Sequence, residues 1–194
     1  MRRNSLQSAA DSHGRTVVVV GIDPGTLITG YGVIARTRDR LRLLECGTIR
    51  CSGRDRLPTR LQRIYTGLVE LFDRHHPDEL AIESAFYGKN AQSALKLGHA
   101  RGVALLAAVE RSVPSSEYSP REVKKAIVGS GTASKEQVRY MVTSLLRLRA
   151  ADLVLDASDA LAIALCHLQR LQGSPTPYRD WKSYAETHPE RVRS

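Results

Sequence analysis

Three apolar, β-branched runs crowd into residues 17–51, joined by links too short to hold a helix. VVVVGI (17–22) reads as a buried strand. TGYGVIAR (29–36) sets Tyr31, Val33 and Ala35 against small or polar residues, and DRLRLLECGTIRC (39–51) holds a turn and a third strand. Parallel strands need a crossover of about a dozen residues or more, so these three are restricted to an antiparallel meander. The period then switches. Leu57, Leu61, Ile64, Leu68, Leu71 and Phe72 recur at helical spacing in 57–77, which makes Phe72 a core residue and Pro77 the stop. DELAIESA (78–85) follows that crossover, which predicts a strand parallel to the first.

The remainder alternates. Residues 90–111 read as a long helix, apolar around most of its girth, with Gly98 and Gly102 four apart on a small-residue face. That face suits a subunit interface or close packing on the sheet. SSEYSP (115–120) is a short strand. Helices follow at 120–129, closed by Gly129, at 134–148, where Ser134 and Gln137 have capping-box spacing, and at 156–171 after a loop. The class is α/β: a mixed five-stranded sheet flanked by helices. Residues 16–172 form the expected domain. Residues 1–15 read as a disordered extension, neither a secretory signal nor, with Asp11 in so short a stretch, a convincing transit peptide; 173–194 read as a loosely ordered tail.

The chain carries 29 Lys and Arg against 20 Asp and Glu, a net +9, and the excess lies mostly in the folded part, where 22 basic face 16 acidic residues between 16 and 172. A basic fold suits a polyanion, nucleic acid first, although charge alone also serves solubility. Cys46, Cys51 and Cys166 fit neither a disulfide frame nor a zinc site, and read as reduced thiols of a cytoplasmic protein.

Four acids stand out against this background. Asp23 ends the first strand and Glu83 the fourth, so parallel neighbours would present both at the sheet edge where α/β folds place their sites. Asp156 and Asp159 lie one turn apart on one face of the last helix. Each has a plainer use: Asp23 as the turn residue of D-P-G, Glu83 in a strand-end ion pair, Asp156 as a helix cap. Yet Asp23, Glu83 and Asp159 adjoin strongly apolar runs, where an unpaired charge is costly. Were the four to converge, repulsion would raise their pKa values unless cations intervened. An all-oxygen set selects Mg²⁺ or Mn²⁺, and four carboxylates can hold two such ions about 3.5–4 Å apart, an arrangement suited to in-line phosphodiester displacement. Gly25, Gly30 and Gly32 would leave room for a backbone or a phosphate strand to approach.

GIDPGTLITGYGVI, AIESAFYGKNAQSALKLGHARG and DASDALAIA, in that order and at similar separations, resemble the RuvC family of Holliday junction resolvases from about residue 17 to 170. The resemblance implies an RNase H-like fold and a homodimer that binds a four-way DNA junction and makes paired, symmetric nicks with Mg²⁺ in recombination and repair. It assigns Asp23, Glu83, Asp156 and Asp159 to the metal-binding catalytic places; the Asp156 place is a histidine in some members. It implies a branch-migration helicase and its junction-binding companion as partners, and a dimer contact on the side of helix 90–111. Phe86, with Tyr87 and Lys89 in the loop past Glu83, matches the residue that stacks on an unpaired base at the junction centre. Arg121, Lys124, Lys125, Lys135 and Arg139 read as a phosphate-binding surface, in which Lys124 and Lys135 match positions implicated in DNA contact and catalysis.

Three alternatives remain. D-P-G-T after a strand also occurs in actin-like and sugar-kinase ATPases, but those chains need a second such half. A catalytically silent DNA-binding module would not need all four acids. A related nuclease acting on another nucleic acid would use the same fold.

Overall fold

The first three strands pair as their short links require. A computed structural model describes residues 15–84, 91–149 and 155–171, with the side chains of 91–93, 155 and 156 left aside. In it β1 (Thr16–Asp23), β2 (Ile28–Thr37) and β3 (Arg40–Arg50) form an antiparallel meander. Helix α1 (Leu57–His75) then crosses over, and β4 (Glu79–Glu83) returns parallel to β1. A second crossover, α2 (Ala91–Glu110), brings β5 (Ser115–Tyr118) parallel to β4. The sheet order is β3-β2-β1-β4-β5. Helices α3 (Pro120–Val128), α4 (Lys135–Leu145) and α5 (Leu155–Leu171) complete the described chain. The expected N-terminal extension (1–15) save its last residue, the loop with Phe86, Tyr87 and Lys89, and the expected tail (173–194) lie outside the described residues.

Alternation along the strands builds a core on each face. Val20, Ile22, Val33, Leu80 and Ile82 point to one side and pack on α1 and α2. Val19, Ile34 and Ala81 point to the other and pack on α3, α4 and α5. Helix ends follow local chemistry. Gly129 closes α3 in the left-handed region (φ 85°), returning its N–H to the Lys125 carbonyl. Ser134 and Gln137 close a capping box on α4, as their spacing predicts, and Ser119 and Glu122 close another on α3. Helix α1 stops at His75 rather than running to Pro77, because His76 turns left-handed (φ 43°) and bonds back to Phe72.

Candidate active site

The D-P-G loop between β1 and β2 closes on itself. The buried Thr29 hydroxyl donates to the Gly25 carbonyl at 2.7 Å. A Cβ on Gly25 would lie 2.2 Å from the Ile28 carbonyl oxygen, so only glycine lets the turn be this tight. Asp23 is thereby held at the last rung of β1, opposite Gly30. Ile22 pairs with Ile82, so Glu83 ends β4 beside Asp23. The Ser84 amide donates to the Tyr118 carbonyl at 2.8 Å and fixes the strand just past Glu83.

Helix α5 supplies the third acid. Cβ atoms on two glycines of the sheet would meet it: on Gly21, 2.0 Å from the Ala160 carbonyl oxygen, and on Gly32, 2.4 Å from Leu161 Cδ2. These contacts let α5 sit directly on β1 and β2 and bring Asp159 to the strand ends. They also correct the expectation for the glycines: the space at Gly25 is taken by the Ile28 carbonyl and that at Gly32 by α5, not by an approaching phosphate.

Glu83 senses the other two acids. Burial pushes the Glu83 carboxyl up to about 7; repulsion from Asp23 and then Asp159 adds to this, as does a hydrogen bond with Asp23, while Lys135 opposes it. Lys135 Nζ donates to Asp159 Oδ2 at 3.1 Å at the exposed rim, and that bond raises the ammonium's pKa. The structure therefore brings together Asp23, Glu83, Asp159 and Lys135. Asp156 lies in the first turn of α5, its side chain outside the description. Among the described residues no three His, Cys, Asp or Glu side chains close on one point tightly enough to hold an ion. The donor set still suits a hard divalent cation: it is all oxygen, and the upward shift that burial and the neighbouring acids impose on Glu83 is one a nearby cation would reverse.

The remaining basic residues lie on α3 and α4. Arg121, Lys124 and Lys125 share a face of α3 by their i, i+3, i+4 spacing, and the Arg121 side chain lies over Gly131 in the α3–α4 turn. Arg139 lies one turn beyond Lys135 on α4. Of this set Lys135 contacts an acid of the pocket.

A buried relay escaped sequence reading. Tyr118 Oη and His167 Nδ1 are 2.6 Å apart, and His167 Nε2 lies 2.7 Å from Glu79 Oε2. A neutral imidazole satisfies both contacts, donating to the Glu79 carboxylate and accepting from the Tyr118 hydroxyl. The network ties α5 to β4 and β5, the strand that precedes α3. Its one visible signal was a histidine inside the apolar run ALAIALCHL.

Comparison with known proteins bears directly on this arrangement. A family model described as "Crossover junction endodeoxyribonuclease RuvC" matches residues 19–167. The crossover junction endodeoxyribonuclease RuvC of Salinibacter ruber is 44% identical over 177 residues, 91% of this chain and 99% of that protein. That of Photorhabdus laumondii is 53% identical over 150 residues, covering 77% and 86%. A structure titled "T. thermophilus RuvC in complex with Holliday junction substrate" superposes with a TM-score of 0.76 at 37% identity, covering 81% of this chain and 96% of that one. The mixed sheet with its flanking helices is thus the RNase H-like fold that the sequence blocks implied. Since sequence and fold agree along most of the described chain, the protein belongs to the RuvC family of crossover junction endodeoxyribonucleases.

Proposed function

We propose that the chain resolves four-way DNA junctions by metal-dependent hydrolysis of one phosphodiester bond in each of two symmetric strands. The observation that carries this reading is the convergence of Asp23, Glu83 and Asp159 from three separate elements on one site, where burial first, and repulsion from the other two acids next, lift the Glu83 carboxyl to about 7. Asp23, Glu83 and Asp159, with Asp156 one turn before Asp159, are the residues that would hold Mg²⁺, two ions per site, with Mn²⁺ as a substitute. Bound there, the ions supply an activated water and charge stabilisation at the leaving 3′ oxygen. The protein's part is positional. β1 and β4 fix Asp23 and Glu83 as neighbours, α5 lays Asp159 across them, and Lys135 keeps a positive charge at the rim, where a phosphate would enter. Arg121, Lys124, Lys125 and Arg139 extend that charge along the strand backbone. Phe86 supplies the stacking wedge, with Tyr87 and Lys89 beside it.

Two copies acting on a two-fold junction explain paired cuts. The outer face of α2 suits the contact: Leu95, Leu106 and Val109 are 63%, 53% and 70% exposed, and a Cβ on Gly98 or Gly102 would meet nothing within 4 Å. A branch-migration helicase and its junction-binding companion are the partners this reading implies. Three free thiols agree with a reducing cytoplasmic setting, and no helix among the described residues is long and apolar enough to cross a membrane.

The test is cleavage of a synthetic mobile junction in Mg²⁺, with and without chelator, beside linear duplex, hybrid and flap controls. Asp23→Asn should keep junction binding and lose cutting by at least about 10³-fold, roughly 4 kcal/mol of barrier. Undiminished cutting by that variant refutes the metal assignment, and preference for a control substrate refutes the junction.

A further inference from the structure

Between residues 50 and 63 the chain carries five arginines and a single acid, Asp55. Arg56 is the N-cap of α1, and Arg60 and Arg63 follow at i+4 and i+7, on the same helix face. That face turns to the end of β3: Arg63 Nη1 donates to the Arg50 carbonyl at 3.4 Å, and the Cys51 thiol to the Arg60 carbonyl at 3.6 Å. Arg54 stands exposed in the turn before the helix, its amide bonded to Ser52 Oγ at 3.1 Å.

Four other surface arginines are neutralised by acids, and among the described residues these are not. Arg15, Arg74, Arg101 and Arg111 each hold a carboxylate, on Asp78, Glu45, Glu117 and Asp73 respectively. Arg54, Arg56, Arg60 and Arg63 form no ion pair among the described residues. Arg60 Nε is shielded from water and has no hydrogen-bond partner among the described residues. The helix end they surround has no capping side chain and no acid in its first turn, whereas α3 and α4 are each closed by a capping box. Positive side chains around a positive helix end repel one another in the free protein, and an anion placed among them reverses the sign.

Topology places the group beside the acid pocket. β1 and β3 are both antiparallel to β2, so β3 ends at the edge that carries Asp23 and Glu83. The Cys51 amide donates to the Leu27 carbonyl at 2.8 Å, clasping the arginine segment to the loop that follows Asp23. Two strand spacings, about 10 Å, separate β3 from β1, comparable to a groove of duplex DNA at ~12 Å. α1 packs on the sheet face opposite α3, α4 and α5, so this charge flanks the pocket on the side away from Lys135.

We propose that Arg54, Arg56, Arg60 and Arg63 form a second phosphate-binding surface, which holds the backbone of a duplex DNA arm on the flank of the acid pocket opposite α3 and α4. It rests on the reading of the chain as a junction nuclease. Guanidinium forks suit phosphate oxygens in pairs, and contacts of this kind fix register without reading sequence.

The experiment compares two triple variants of equal charge. One is Arg54→Gln, Arg56→Gln, Arg63→Gln, all exposed; the other is Arg38→Gln, Arg40→Gln, Arg42→Gln, exposed around the β2–β3 turn at the opposite sheet edge. Junction affinity is measured by fluorescence anisotropy from about 50 to 200 mM salt, with chelator present. Each lost phosphate contact flattens the slope of log K against log salt by about 1. The first variant should flatten it by about 2–3 and weaken binding at least about tenfold at the lowest salt; the second should change it by less than about 1. Equal slopes for the two variants, or a wild-type slope in the first, overturn the arginine surface while leaving the junction reading intact. A wild-type protein that binds no junction overturns both, and that failure shows before any variant is made.

Discussion

Gly21→Ala tests whether the active site depends on how closely α5 lies on the sheet. The added Cβ would stand 2.0 Å from the Ala160 carbonyl oxygen, 2.8 Å from the Ala164 amide nitrogen and 2.9 Å from Ala164 Cβ. Ordinary contact begins near 3.4 Å. The obstacle is backbone and cannot rotate away. β1 is hydrogen-bonded to β2 on one side and β4 on the other, so the helix is the part that retreats, by about 1–1.5 Å. Asp159 adjoins Ala160 and moves with it. A misplacement of about 1 Å in a catalytic constellation costs on the order of 10²-fold, roughly 2.7 kcal/mol of barrier. Overpacking itself costs about 1–3 kcal/mol, or roughly 2–12 °C in Tm for a chain of this size. The assay is single-turnover junction cleavage at saturating protein, with Tm and junction affinity measured alongside. Slow cutting with binding retained is the expected result. A folded variant that binds and cuts at the wild-type rate refutes the argument. Should the variant fail to fold, Gly32→Ala asks the same question more gently, since its Cβ would meet the Leu161 side chain, which can partly yield.

Two further perturbations address other parts of the protein. Burial pushes the His167 imidazole below its usual range, with Glu79 opposing, so the unfolded chain takes up a proton near pH 6.5 that the folded chain refuses. This contribution to stability is lost as pH drops below about 6.5, by up to about 1.4 kcal/mol per pH unit, while the raised Glu83 carboxyl works in the opposite sense; urea melts of wild type and His167→Gln at pH 7 and 5.5 should therefore show the wild-type advantage narrowing at the lower pH. On the outer face of α2, Leu106→Asp should leave monomer stability within about 0.5 kcal/mol and convert a dimer to monomers in sedimentation; a dimer that persists removes this face from the contact.

The sequence made most of the fold legible because its punctuation is sharp. Links of a few residues forced the meander, the first helical crossover set the fourth strand parallel to the first, and Asp23 and Glu83 stood where apolar strands stop. The first two strands and the capped α4 follow directly from this. Contacts between distant segments were not legible. Lys135 was read as one of several phosphate-binding residues, yet its ammonium sits on Asp159, 24 positions along, because α4 and α5 are oriented by the core they share. The arginines of 54–63 carry no motif of their own; only the strand order shows that they border the pocket. His167 was visible as a polar residue in an apolar helix, but its partners Tyr118 and Glu79 lie 49 and 88 positions away.

Helix α5 is held at two heights, and the two constraints do different work. Near its start, Gly21 and Gly32 set how closely it approaches the sheet. Eight residues after Asp159, roughly 12 Å along the axis, the Tyr118–His167–Glu79 relay sets its rotation and its height against β4 and β5. Close approach alone would leave the helix free to slide along a smooth apolar surface, because dispersion contacts are weakly directional. A buried hydrogen-bond chain is directional and leaves costly unsatisfied groups if it slips. The placement of Asp159 against Glu83 thus depends on a histidine that touches neither acid, and a polar network inside an otherwise apolar core gains a physical reason to be there.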